Sequence, residues 1–126
     1  MTDAREMHIS VKRVYEPAEA SDGLRVFVDR LWPRGLKKCD FTFDEWAKCL
    51  APSTEARRKF GHKAENFASF AARYRMELDA SEAAHDFVAG LQSRGVTHVT
   101  LLYAARDPQV NHAVVLRDWM IEHALA

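Results

Sequence analysis

The segment from Val96 to Ala105, V-T-H-V-T-L-L-Y-A-A, is the most apolar stretch of the chain. A continuous apolar run of this length, with β-branched and aromatic residues, is typical of a strand buried on both faces of a parallel sheet. Helical patterns precede and follow it in the sequence, which indicates an α/β domain. Val96–Ala105 therefore predicts the central strand of the sheet.

Two more strands are predicted earlier in the chain. His8–Val14 alternates apolar and polar residues, and Leu24–Leu31 is rich in β-branched and aromatic residues before Pro33 and Gly35 end it. The connection of about nine residues between these strands is short for a crossover, so their relative direction stays open. We expect a small, mainly parallel sheet of about three strands, packed with several helices in a single domain over residues 1–126.

Helices are predicted from apolar spacing and from end signals. Ser53 or Thr54, Ser81 and Asp107 are the expected capping residues, the last of them beside Pro108. The expected helices are Phe43–Leu50, a segment from the Ser53/Thr54 cap to Phe60, Ala64–Leu78, a segment from the Ser81 cap to Arg94, and Gln109–Ala124.

The composition restricts the class of protein. A hydrophobic fraction of 48% and a charged fraction of 29% are those of an ordinary globular protein. No apolar run has the length of a membrane span, and the N-terminal residues lack a signal-peptide pattern, so we expect a cytoplasmic protein that does not bind membranes. Cys39 and Cys49 are expected to be free thiols, and no spacing points to a metal site or a cofactor.

The segment Arg25–Gly35, R-V-F-V-D-R-L-W-P-R-G, places charged side chains where a strand ends. A buried charge costs several kcal/mol, on the order of 5, unless it is paired or solvated. Asp29 and Arg30 therefore indicate a site at the edge of the sheet. The alternative is a buried Asp–Arg pair that braces the Pro-Arg-Gly turn.

Polar side chains follow all three predicted strands. If the strands are parallel, these side chains meet at the carboxyl edge of the sheet, where open α/β sheets bind ligands. They are Lys12, Arg13, Asp29, Arg30, Tyr103 and Arg106. The last helix begins at the same edge with Asn111 and His112, and a helix N-terminus favours an anion. Arginines beside such a terminus suit a phosphate or a carboxylate.

We assign a role to each candidate at this edge. Arg30 and Arg34 would hold the anion, and Asn111 would orient it. Tyr103 would cover one side of the anion or donate a hydrogen bond to it. His112 would be a general acid or base, or instead a histidine that hydrogen-bonds a loop carbonyl. The candidate ligand-binding residues are Arg25, Asp29, Arg30, Trp32, Arg34, His62, Tyr103, Arg106 and Asn111.

Several motifs resemble the YeaO-like branch of the family called domain of unknown function 488. They are K-R-V-Y-E-P from Lys12, D-G-L-R-V-F-V-D-R-L-W-P-R-G from Asp22, A-P-S from Ala51, F-G-H from Phe60, R-Y-R-M-E-L from Arg73 and L-L-Y-A-A-R-D-P-Q-V-N-H-A-V-V-L from Leu101. The resemblance extends from Lys12 to about Trp119 and implies a small bacterial-type α/β protein without an assigned activity. The family pattern matches at most of the candidate residues, His112 among them.

Three functions stay open at this point. The first is an anion-binding cleft with acid–base chemistry by His112. The second is a nucleic-acid accessory module, in which Trp32 or Tyr103 stacks on a base and a basic cluster, Arg57, Arg58, Lys59 and Lys63, meets phosphates. The formal net charge of zero disfavours it. The third is a protein-interaction module without catalysis. Neither the oligomeric state nor a reaction follows from the sequence.

Overall fold

Four parallel strands form one sheet in the computed structural model, which describes residues 7–124. The strands are β1 (His8–Arg13), β2 (Leu24–Phe27), β3 (Glu45–Trp46) and β4 (His98–Tyr103). Their order across the sheet is β1-β4-β2-β3, and each neighbouring pair is parallel. The α/β class and the parallel sheet are confirmed, while the expected number of about three strands becomes four in the described range.

β4 lies between β1 and β2 and pairs with both. Val99 stands opposite Ile9 of β1 on one side and Leu24 of β2 on the other. Residues 99–103 are all buried, as a central strand requires. The apolar run in the sequence therefore predicted this strand correctly, and β1 and β2 run parallel because both pair in that direction with β4.

Four α-helices occur within the described residues. They are α1 (Thr54–Phe60), α2 (Phe67–Ala80), α3 (Glu82–Ser93) and α4 (His112–Ala124). Ser53 and Ser81 cap α1 and α3 as predicted, because each hydroxyl accepts a hydrogen bond from a backbone N–H three residues later at 3.1 Å. Such a cap stabilises a helix by about 1 kcal/mol. Gly61 ends α1 in the left-handed conformation, with φ of 56°.

The two faces of the sheet are covered by different kinds of structure. Side chains on one face, such as Val26 and Leu101, pack against all four helices in the main core. On the other face, Phe27 and Leu102 pack against β3 and the connection between β2 and β3. We call the aromatic residues of this face the aromatic cluster: Phe27, Trp32, Phe41, Phe43 and Trp46.

The connection between β1 and β2 contains a single 3-10 turn, Ala20–Asp22, and no crossover helix. Gly23 follows the turn with φ of 66°, and a Cβ atom at this position would collide with the backbone of His98. Glycine is therefore required where the chain approaches β4 before it enters β2.

The helix predicted over Phe43–Leu50 is wrong. The segment forms β3 and a 3-10 turn, Lys48–Leu50. Its apolar residues have helical spacing, but β3 pairs with β2 and places the Trp46 ring 5.2 Å from that of Phe27. Tertiary packing overrides the local pattern here, as it does for many short segments.

The predicted start of the last helix is also wrong. α4 begins at His112 and not at Gln109, because Asn111 is the capping residue: its Oδ1 accepts a hydrogen bond from the Val114 N–H at 3.1 Å. Asp107 instead closes the preceding turn, where its Oδ1 accepts from the N–H groups of Gln109 and Val110. Smaller differences are that β2 ends at Phe27 and that α2 begins at Phe67 after a 3-10 turn.

Candidate functional site

A cleft of about 520 Å³ lies at the carboxyl edge of the sheet. Its walls come from the residues that follow β2 and β4, from the turn before α1 and from the start of α4. The lining residues are Asp29, Arg30, Leu31, Trp32, Pro33, Arg34, Ala51, Pro52, Arg57, His62, Ala104, Ala105, Arg106, Asp107, Val110 and His112. The structure thus brings together seven of the ten candidate residues: Asp29, Arg30, Trp32, Arg34, His62, Arg106 and His112.

Four arginines line the cleft, from three separate elements. Arg30 and Arg34 follow β2, Arg57 lies on α1, and Arg106 follows β4. Arg30 Nη1 donates a hydrogen bond to Thr54 Oγ1 at 3.0 Å. The side chains of Arg34, Arg57 and Arg106 form no ion pair or hydrogen bond with any residue in the range 7–124. Their guanidinium donors therefore have no hydrogen-bond partner in the described part of the chain.

Asp29 and His112 are in direct contact beside these arginines. His112 Nε2 lies 3.1 Å from the Val28 carbonyl oxygen and 3.2 Å from Asp29 Oδ1. Asp29 Oδ2 accepts a hydrogen bond from the Ala104 N–H at 3.1 Å, which ties the end of β2 to the end of β4. Because the Val28 carbonyl oxygen can only accept, Nε2 carries a proton and donates it to that oxygen.

Burial shifts the pKa values of Asp29 and His112 in opposite directions. It raises the pKa of Asp29, although the nearby His112 and the Ala104 N–H act to lower it. It lowers the pKa of His112, although the Asp29 carboxylate acts to raise it. Both shifts have the same cause, since removal from water disfavours the charged form of each group. Burial therefore favours the neutral form of His112, whose Nε2–H donates to the Val28 carbonyl, while Asp29 Oδ1 lies 3.2 Å away and accepts no hydrogen bond from the described residues.

His62 lines the cleft from the turn after α1. Its φ of 57° lies in the left-handed region, next to Gly61 in the same region. A non-glycine residue in this region costs roughly 1 kcal/mol or more, and such residues cluster at functional sites. The His62 ring lies 5.7 Å from that of Phe60, and the side chain is exposed to the cleft.

Asn111 and Tyr103 do not line the main cleft. Asn111 is 1% exposed, and its two side-chain groups are occupied: Nδ2 donates to the Asp107 carbonyl, and Oδ1 caps α4. It reaches only a smaller adjoining pocket, which it shares with His112 and Arg57. Tyr103 is 2% exposed in the main core, so its ring cannot cover a ligand in the cleft.

Arg25 lies apart from the cleft, near the start of β2. Its Nη1 is 2.6 Å from Asp22 Oδ2, and its Nε donates to the Thr42 carbonyl. Lys12 Nζ contacts the same carboxylate at 3.0 Å. We call Lys12, Asp22 and Arg25 the Asp22 network. It braces the connection between β1 and β2, so the buried aspartate–arginine pair considered for Asp29 exists at a different place in the fold.

Sequence reasoning missed two features of the cleft. Arg57 was assigned to a basic cluster for nucleic acid, yet it lines the cleft; of that cluster, Lys59 pairs with Glu55 at 3.5 Å. The Ser53 cap predicts the start of α1, but the packing of α1 that brings Arg57 to the cleft has no local signal. The contact between Asp29 and His112 had no local signal, since 83 positions separate them in the sequence.

The described residues offer few other groups for chemistry. No cluster of three or more His, Cys, Asp or Glu side chains within 7–124 could hold a metal ion. Cys39 and Cys49 are free and exposed. None of the helices in this range combines the length and the apolar character needed to cross a membrane.

Comparison with known proteins identifies relatives along nearly the whole chain. The chain is 46% identical to the uncharacterized protein YeaO of Escherichia coli (strain K12) over 114 residues, which are 90% of this chain and 97% of the relative. It is 43% identical to the uncharacterized protein Rv3073c of Mycobacterium tuberculosis (strain ATCC 25618 / H37Rv) over 112 residues, 89% of this chain and 92% of the relative. No solved structure matches.

A family model described as the inactive DUF488-N3 subclade matches residues 8–126. The resemblance to the YeaO-like branch is thereby confirmed. The chain belongs to the DUF488 family, in the branch described as the inactive DUF488-N3 subclade.

Proposed function

We propose that the cleft binds a small anion that carries a phosphate or carboxylate group. The observation that supports this is the presence of four arginines in one cleft, none of them with an ion-pair partner within residues 7–124. Guanidinium groups bind both anions through paired hydrogen bonds. A volume of about 520 Å³ is also typical of small-molecule sites.

We propose binding without turnover, and the description of the family as inactive agrees with this. An acid–base role for His112 stays a prediction. Its contact with Asp29 favours the role, because a carboxylate often orients a catalytic histidine. However, Nε2 faces Val28 and Asp29, so only Nδ1 would be free to exchange a proton with a ligand.

The packing of the aromatic residues disfavours the nucleic-acid alternative. Stacking on a base requires a free ring face, whereas Tyr103 is buried and Trp32, which is half-buried at the cleft, packs against Phe41 and Trp46. The net charge of zero gives little long-range attraction to a polyanion. A cytoplasmic location stays a prediction from the sequence, and cell fractionation tests it.

Isothermal titration calorimetry at low ionic strength tests the proposal, with phosphate, pyrophosphate and citrate as small ligands and a single-stranded oligonucleotide as competitor. We expect at least one small anion to bind, and Arg34→Ala and Arg57→Ala each to weaken it about tenfold. Arg58→Ala is the matched control, since Arg58 is the exposed neighbour of Arg57 and does not line the cleft.

Two results would contradict the proposal. One is the absence of binding to any small anion, which leaves the protein-interaction hypothesis. The other is oligonucleotide binding that falls steeply with salt and is weakened as much by Arg58→Ala as by Arg57→Ala, because a distributed basic surface behaves in this way.

A further inference from the structure

Apolar side chains line the same cleft as the four arginines, and an inorganic anion gives them no partner. Leu31, between Arg30 and Arg34 in the same loop, is 68% exposed. Pro52 and Val110 line the cleft from two other segments. Exposure of a leucine side chain to water is unfavourable, so a ligand that covers Leu31 gains affinity from the hydrophobic effect.

The charge of the cleft points to the kind of anion. Four arginines against Asp29 and Asp107 leave an excess of two positive charges when the histidines are neutral. Both carboxylates already accept backbone N–H groups, Asp29 from Ala104 and Asp107 from Gln109 and Val110. A phosphate monoester carries close to two negative charges at pH 7, whereas a carboxylate carries one. The balance therefore favours the phosphate.

The volume of the cleft shows that a phosphate group alone would not fill it. The cavity measures about 520 Å³, while the space taken by one water molecule in the liquid is only about 30 Å³. A phosphate group is several times the size of a water and still leaves most of the cavity unoccupied. The remaining space, with its apolar lining, suits an organic group the size of a ring system.

We propose, as an inference that rests on the proposed function, that the ligand of this cleft is a phosphate monoester that carries an apolar or aromatic ring. Nucleoside monophosphates are one class of such ligands. The arginines bind the phosphate, and Leu31 covers one part of the ring. The ligand thus spans the charged and the apolar lining at once.

Calorimetric titration with a graded set of phosphates tests this inference. The probes are phenyl phosphate, AMP and CMP, compared with ribose 5-phosphate and inorganic phosphate. We expect at least one probe with an aromatic ring to bind about tenfold more tightly than ribose 5-phosphate, since that sugar phosphate has the same charge and little apolar surface. Leu31→Asn removes most of this advantage and leaves the affinity for ribose 5-phosphate unchanged.

Met76→Asn is the matched control, because Met76 is 70% exposed on α2 and does not line the cleft. Thermal unfolding verifies that both variants fold. Equal affinity for all phosphates, each lost in Arg34→Ala, overturns this inference and leaves the proposed function intact. A ring-dependent gain that Leu31→Asn does not reduce also overturns it. If citrate binds but no phosphate does, the inference fails and the proposed function stands. If neither citrate nor any phosphate binds, both fail.

Discussion

The arginines at the two ends of the sheet differ in burial and in pairing. At the amino end, Arg25 is 7% exposed and its guanidinium is paired with Asp22 at 2.6 Å. At the carboxyl end, Arg34, Arg57 and Arg106 are exposed around one cleft without such partners in the described part of the chain. The same residue type thus fixes the backbone at one end and remains available for a ligand at the other.

The difference shows what distinguishes a structural arginine from a binding one. A guanidinium that is taken out of water must have its hydrogen bonds satisfied by the protein, as Arg25 has. A binding arginine keeps its donors in water until a ligand replaces that water. Changes at the amino end should therefore affect stability, and changes at the carboxyl end should affect affinity.

The largest effect is expected for Asp22→Ala. This change removes the carboxylate and leaves Lys12 and Arg25, with side chains only 13% and 9% exposed, without their anion. We expect a loss of about 3 kcal/mol in the free energy of unfolding, measured by urea denaturation. Asp86→Ala, at an exposed position of α3, is the comparison. Equal losses of unfolding free energy in the two variants would show that the Asp22 network adds no stability beyond that of an ordinary exposed aspartate.

The Asp22 network also predicts a pH dependence. Burial alone would raise the pKa of Asp22, but hydrogen bonds from the Glu19 N–H, Lys12 and Arg25 outweigh it and hold the pKa below its usual value. The stability from this carboxylate is therefore present above the unfolded pKa of about 4 and is lost as the pH falls through the lower folded value. The stability difference between wild type and Asp22→Asn should shrink between about pH 5 and pH 2. A difference of constant size over this range would contradict the prediction.

A smaller loss is expected for Asn111→Ala at the carboxyl end. This change removes the cap of α4 and the hydrogen bond to the Asp107 carbonyl, which should cost about 1–2 kcal/mol. Asn111→Ser retains a capping oxygen without a charge and should recover part of the loss. Should the serine variant unfold as easily as the alanine variant, the capping role of Asn111 would be refuted.

The smallest change in stability is expected for Arg34→Ala. Its side chain is exposed and makes no contact with another charged group among the described residues, so unfolding should shift by less than about 0.5 kcal/mol. The same variant is expected to bind the anion about tenfold more weakly. A large loss of stability would place Arg34 with Arg25 as a structural residue and would weaken the contrast between the two ends.

Local patterns predicted the parts of the fold that depend on local chemistry. The apolar run of β4 and the serine caps of α1 and α3 follow from burial and from backbone hydrogen bonding, which the sequence displays directly. β3 was missed because its two residues, Glu45 and Trp46, are defined by pairing with β2 and not by their own pattern. Likewise, Asp107 and Asn111 are both good capping residues, and only the path of the loop selects Asn111.

The candidate site was predicted in outline because parallel strands bring their carboxyl ends together. Of the residues predicted to meet at the strand ends, Asp29, Arg30 and Arg106 line the cleft, whereas Lys12, Arg13 and Tyr103 do not. The inclusion of Arg57 depends on how α1 packs against the sheet, and the exclusion of Arg25 depends on its partner, Asp22. Neither is a property of the local sequence.

The aromatic cluster gives the protein its own optical reporter of the cleft. Trp32 and Trp46 belong to this cluster, and their indole N–H groups donate to the carbonyls of Leu36 and Asp29, at the two ends of the loop that carries Arg30 and Arg34. Trp119, the third tryptophan, is fully buried on α4 and bonds to Asp79. A ligand that moves this loop will change the fluorescence of two indoles against the steady background of the third, so binding can be followed without any label.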